Sequence, residues 1–155
     1  MSHVENVVTQ WERIMPESDF SPLKVCGELE RAYHLLQKSL SPVFRKYGVN
    51  RTEFDILATL RRSESDLTPT LLHKTLLLTS GAISARLEHL HRRGLIERNY
   101  TPDDRRSCFI TLSDEGKNLI DDAFVSYMEA EALFVEKFTS EEQANITNIL
   151  RKLLK

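Results

Sequence analysis

Cysteine is scarce in this sequence: only Cys26 and Cys108 occur, and neither sits in a CxxC or Cys/His spacing. That excludes a disulfide framework and argues against any structural metal site. Long apolar runs are missing as well, since nothing approaches the roughly 18 uninterrupted apolar residues of a membrane span. The opening MSHVENVVTQWER lacks the basic, apolar and small-residue succession of a secretory leader, so a cytoplasmic location and no membrane partner are expected. Neither a Gly-rich phosphate loop nor a nucleophile beside a base is present, so no enzyme activity and no cofactor are expected. An overall excess of basic charge is absent too. The formal net charge is -2, which argues against an indiscriminate nucleic-acid binder.

What the sequence does have is segregated charge. From His73 to Arg106 seven basic residues stand against four acidic ones, a local net of +3. From Ser113 to Asn145 nine acidic residues stand against Lys117 and Lys137, a local net of -7. Any phosphate-facing surface is therefore confined to one region. With 155 residues, 41% hydrophobic and 28% charged, the chain can build a real core.

Apolar periodicity predicts a first helix over 3–15, ended by Pro16, and a long second helix over 22–47, opened by Ser21-Pro22 and ended at Gly48. Its stripe is Val25, Leu29, Tyr33, Leu36, Leu40, Phe44 and Tyr47. A capping box from Asn50 to Glu53 opens a third helix, with Phe54, Leu57, Ala58 and Leu60 inward. Thr68-Pro69 starts a short helix, Leu78-Thr79 turns, and a further helix runs over 80–93 to Gly94, which together make a helix-turn-helix. Residues 95–112 then read as a β-hairpin: LIERNY, the polar turn TPDDRRS, and the strand CFITL. A helix-turn-helix followed by such a hairpin is a winged helix. Ser113 and Thr139 cap two final helices, the first with Leu119, Ala123, Phe124, Tyr127, Ala130 and Phe134 inside, the second with Ile146, Ile149, Leu150 and Leu153. The chain thus divides into N-terminal helices (1–48), a winged helix-turn-helix (49–112) and C-terminal helices (113–155). The apolar stripes of the two ends call for a partner, and a two-fold homodimer supplies one.

On helix 80–93, at about 100° per residue, Ile83, Leu87 and Leu90 form one inward stripe. Ala82, Ala85, His89, Arg92 and Arg93 point away from it. Small outward residues suit a helix entering a major groove, with Ser80 and Ser84 near its N-terminus able to bond phosphates or base edges. Arg86 lies at the flank of the stripe, where a half-buried guanidinium requires an anion: a protein carboxylate, a phosphate or a bound ligand. Arg105 and Arg106, in the turn of the hairpin, are placed to reach an adjacent minor groove. His89 and His91 diverge on their helix and make no metal pair.

The stretch TSGAISARLEHLHRRGLIER and the wing DDRRSCFITLSDEG resemble the MarR family of dimeric winged-helix regulators, whose wing reads D-x-R-[RS]-x-x-x-x-L-T-x-x-G. Ser113 stands in place of the usual Thr and keeps the cap. Within the family the chain is most similar to a PecS-like, urate-responsive subgroup. The shared marks are Trp11 to Pro16, Ser21-Pro22, the run from Glu53 to Leu57, and the run from Ser80 to Arg86. Ala85 departs from the subgroup, which usually has Asn there. The resemblance implies a repressor that binds a pseudo-palindromic operator in double-stranded DNA as a homodimer. It also implies a small-molecule effector, urate or a related purine or aromatic anion, at Trp11, Asp55, Arg86 and Arg98. Bland readings stand beside these: Trp11 as a packing anchor, Asp55 as an arginine's ion-pair partner, Arg98 as a phosphate contact. Peroxide-sensing members of the family suggest a rival, redox sensing through Cys26 near a helix start, where a thiol ionises more readily. A winged-helix protein-interaction module without DNA binding is a further alternative.

Overall fold

The computed structural model of the chain describes residues 2–63, 65, 67–101 and 104–154, with backbone alone at Thr101 and at 104–107. Its elements are α1 (His3–Ile14), α2 (Ser21–Lys46), α3 (Arg51–Arg62), α4 (Pro69–Leu76), α5 (Ser80–Arg92), β1 (Ile96–Thr101), β2 (Asp104–Leu112), α6 (Asp114–Val135), α7 (Ser140–Arg151) and a terminal 3-10 turn at Lys152–Leu154. The strands form one antiparallel hairpin. The chain makes two compact units: residues up to Ser41 with those from Phe134 onward, and Pro42–Leu133.

In the unit Pro42–Leu133 the apolar periodicities converge. Ile56, Leu57, Leu72, Ile83, Leu87, Leu90, Leu95, Ile96, Ile110, Ile120 and Ala123 are each at most 1% exposed. Side chains of this size stabilise by roughly 1.5–3 kcal/mol each when fully buried. An aromatic layer joins the end of α2 to α3 and α6: Phe44 and Phe54 lie 5.4 Å apart between ring centroids, and Phe54 and Tyr127 stack at 4.8 Å. The hairpin is anchored from outside its own ladder, because the Ile110 N–H donates to Leu67 O at 2.8 Å. That bond ties the segment before α4 to the wing.

The start of α6 explains the Ser-Asp-Glu-Gly run. The Ser113 hydroxyl accepts the Gly116 N–H at 3.0 Å and donates to Gly94 O at 2.6 Å, while the Ser113 N–H donates to Leu95 O at 3.2 Å. A Cβ on Gly116 would lie 2.0 Å from Leu95 O, so no larger residue fits there. Gly94 itself turns through φ 71°, the left-handed region that favours glycine.

In the other unit α1 opens with a capping box between Ser2 and Glu5, and α7 with one between Thr139 and Glu142. Val4 and Val8 are buried, Val4 against Gly27 of α2. The Ser2 hydroxyl donates to Glu28 at 2.7 Å. Leu40 is buried as well, while most other apolar residues along α2 and α7 lie open.

Several expectations are corrected here. Ile149 (61%) and Leu153 (69%) are exposed, so these positions are not inside within one chain, and the α2 stripe is open at Val25, Leu29 and Tyr33 but buried at Leu40 and Phe44. Phe124 is 47% exposed; Ala123 is buried as expected, and Ile120 rather than Phe124 is the large core residue beside it on α6. Ser21 is the first residue of α2 rather than its cap; Asp19 accepts its N–H at 2.9 Å. The polar turn of the hairpin is much shorter than TPDDRRS, because Thr101 pairs with Asp104 and β2 begins there. Arg105 and Arg106 therefore belong to β2, in an irregular stretch. The partner register steps from Cys108 opposite Tyr100 to Asp104 opposite Thr101. Charged, turn-favouring residues do not forbid a strand, because a ladder is made by backbone groups. Pro102 and Asp103, which the sequence places in that turn, lie outside the described residues.

Candidate nucleic-acid interface

The helix-turn-helix is built by local rules. Thr68 caps α4 by accepting the Leu71 N–H, with Pro69 in the first turn. The chain then reverses at Leu77, which is left-handed (φ 53°) and 92% exposed. Thr79 caps α5 by accepting the Ala82 N–H. One side of α5 is locked into the core by Ile83, Leu87 and Leu90. The other presents Ser80, Ala82, Ser84 and Ala85, all exposed. This surface is shallow and unobstructed by long side chains, and it begins at a helix N-terminus whose free N–H groups favour anions.

The larger outward residues of α5 are engaged with the protein. Arg92 Nε lies 3.5 Å from Glu88 one turn earlier and is 70% exposed, so it keeps its reach. Arg93 donates through Nη1 to Gly48 O at 2.5 Å, which fastens the end of α5 to the end of α2. His89 places Nδ1 2.7 Å from Glu53 Oε1, leaving the rest of a half-exposed ring outward. Arg105 and Arg106 are placed by backbone only.

Three of the four residues expected to bind an effector already have protein partners. Arg86 Nη1 lies 3.5 Å from Glu53 Oε1, so of the three anions open to it the one present is a protein carboxylate. Asp55 pairs with Arg51 at 2.9 Å, one turn back on α3. Arg98, on β1, lies 3.2 Å from Glu88 Oε2, which links wing and α5. Trp11 is 45% exposed on α1. The Arg51 guanidinium also sits 5.8 Å above the Tyr127 ring. Burial, with a hydrogen bond to Glu131, pushes the Tyr127 phenol up to about 12. On the outer side of the same unit Arg61 bonds Asp121 through two nitrogens, at 2.8 and 3.0 Å, and holds that carboxyl below its ordinary range.

The sequence reading missed Glu53 and Glu88 as partners of these arginines. For Glu53 a signal existed: it precedes Ile56 and Leu57 by three and four residues, which puts it on the buried face of α3. Its visible role in the capping box concealed the second one. Among the described residues no group of three metal-ligating side chains occurs, and no helix is long and apolar enough to cross a membrane.

Residues 47–107 match the model of the MarR family. The transcriptional regulator PecS of Dickeya dadantii is 34% identical over 154 residues, covering 98% of this chain and 93% of the relative. This chain belongs to the MarR family of transcriptional regulators. Among solved structures, a mutant MarR from E. coli complexed with operator DNA superposes with a TM-score of 0.76 at 23% identity, covering 89% of this chain and all of the other. BpsR of Bordetella bronchiseptica, whose DNA binding is regulated by 6-hydroxynicotinic acid, gives a TM-score of 0.74 at 22% identity over 85% of this chain and 99% of its own. The winged helix-turn-helix of this MarR-family chain is thus a shared fold, and its own side chains distinguish it.

Proposed function

We propose that this MarR-family chain is a homodimeric repressor that binds a pseudo-palindromic operator through α5 and the wing and is released by a small aromatic anion. The observation that carries the DNA reading is the two-faced α5: an apolar side at most 1% exposed against an outward side of small, exposed residues. Such a helix lets the backbone approach base edges while its apolar side holds it to the core. Ser80, Ala82, Ser84 and Ala85 would lie in the major groove, with Arg92, His89 and Arg93 toward the backbone. Arg105 and Arg106 would follow the adjacent minor groove. Exposed apolar faces on α1, α2 and α7 support a second copy as partner, which would set two α5 helices about 10 base pairs apart.

The effector reading, with urate or a related purine leading, is supported by similarity to PecS and by the charged residues around α5. An anion at Arg86 would compete with Glu53, and one at Arg98 would compete with Glu88. Either exchange would move α5 or the wing, which gives the ligand different affinities for the free and DNA-bound forms, as release requires. BpsR, regulated by an aromatic acid, is a precedent for this ligand class. Titrating urate against the protein bound to its own promoter tests the assignment. Dissociation with rising urate, abolished by Arg86→Met, is expected; unchanged DNA affinity at millimolar urate would remove the ligand and leave the fold intact.

A further inference from the structure

One carboxylate in the molecule serves two helices at once. Glu53 is 2% exposed. Its Oε2 accepts the Asn50 N–H at 3.0 Å and so completes the capping box of α3. Its Oε1 lies 2.7 Å from His89 Nδ1 and 3.5 Å from Arg86 Nη1, both on α5. Positions 86 and 89 are three apart, hence neighbours on one flank of that helix. The apolar stripe beside them attracts without direction. Hydrogen bonds, by contrast, weaken steeply off axis. A buried carboxylate is also costly to leave unsatisfied, so both donors are held to it.

We propose that Glu53 is a positioning residue that fixes the rotation of α5 about its own axis, and thereby which small side chains face DNA. The non-directional apolar contacts of Leu87 and Leu90 do not by themselves single out one roll angle, whereas the His89 hydrogen bond and the Arg86 ion pair to Oε1 are made together at one. The consequence for sequence recognition rests on the DNA reading of α5; the hold on the helix does not. Arg86 then has a structural duty before any effector arrives.

The test compares two full-length variants that separate the capping box of α3 from the contacts to α5. Glu53→Gln keeps an oxygen for the Asn50 N–H and presents an NH2 group toward Arg86 and His89. Asn50→Ala breaks the box without touching α5. Amide hydrogen exchange over residues 80–93 is measured without DNA, and affinity for promoter and for random duplex is measured in parallel. Loss of a charged hydrogen bond predicts about tenfold faster exchange across α5 in Glu53→Gln and a promoter-to-random affinity ratio lower by about tenfold. Random-duplex affinity should stay within about twofold, because phosphate contacts carry it. Asn50→Ala should change neither the exchange nor the ratio. Unchanged α5 exchange in Glu53→Gln, or equal effects in Asn50→Ala, overturns the proposal. If Glu53→Gln does not fold, Arg86→Met and His89→Leu probe the same bonds from the other side, and unchanged exchange in both overturns it. Should the wild-type chain bind no promoter fragment, the DNA reading fails while the exchange result still decides the role of Glu53.

Discussion

The two compact units differ in what they do with apolar side chains. In Pro42–Leu133 the stripes of α3, α4, α5, the hairpin and α6 close on one another, and eleven of the unit's apolar residues are at most 1% exposed. In the unit formed by the two ends, α7 buries none of its residues and α2 leaves Val25, Leu29 and Tyr33 open. The first unit closes a core with its own sequence, whereas the second leaves most of its apolar faces open. That contrast supports the proposed dimer.

The largest effect is expected where the open faces are charged. Val25→Asp with Leu153→Asp should convert a dimer to monomers at micromolar concentration, read by sedimentation, since burying an unpaired carboxylate costs several kcal/mol. The α3–α5 core should remain folded in that variant. Next, Leu87→Ala should lower unfolding free energy by about 2–5 kcal/mol through the cavity it leaves, measured by urea denaturation. A smaller loss, about 1 kcal/mol, is expected for Thr139→Ala, which removes the cap of α7. Its size tests whether α7 is held by its own capping or by a partner. Leu77→Gly should raise stability by about 0.5 kcal/mol, because a left-handed leucine is strained and 92% exposed, so little packing is lost.

A pH effect closes the series. Tyr127 has its phenol pushed up to about 12 from an ordinary 10. A raised folded value means that the neutral phenol is favoured by the fold, so its contribution is complete below pH 10 and is lost as pH rises toward 12. Tyr127→Phe should flatten the alkaline limb of the stability curve, measured by denaturation between pH 9 and 12 at roughly unit steps.

Much of this was legible from residues alone. Gly48, Gly94, the Asn50 and Thr139 boxes and Thr68-Pro69 mark boundaries because each satisfies or terminates a helix end by a local rule. The SDEG run was recognisable as a motif, yet its reason, the 2.0 Å approach of Leu95 O to any Cβ at Gly116, is a tertiary contact that no spacing reveals. The charged residues at 104–106 looked like turn because composition reports polarity, whereas strand pairing is decided by the backbone of the opposite strand. Periodicity gave the stripes of α2 and α7 but not what covers them, since an apolar face reads the same whether its partner is in its own chain or another. Arg86 was readable as a guanidinium needing an anion. Which anion depended on Glu53, thirty-three positions away.

The central claim, that two copies present two α5 helices to one duplex, is tested most directly by footprinting the wild-type protein on its own promoter with guanine N7 methylation protection. Two protected major-groove patches about 10 base pairs apart, related by a pseudo-two-fold, are predicted. A single patch, or protection with no such spacing, would contradict it.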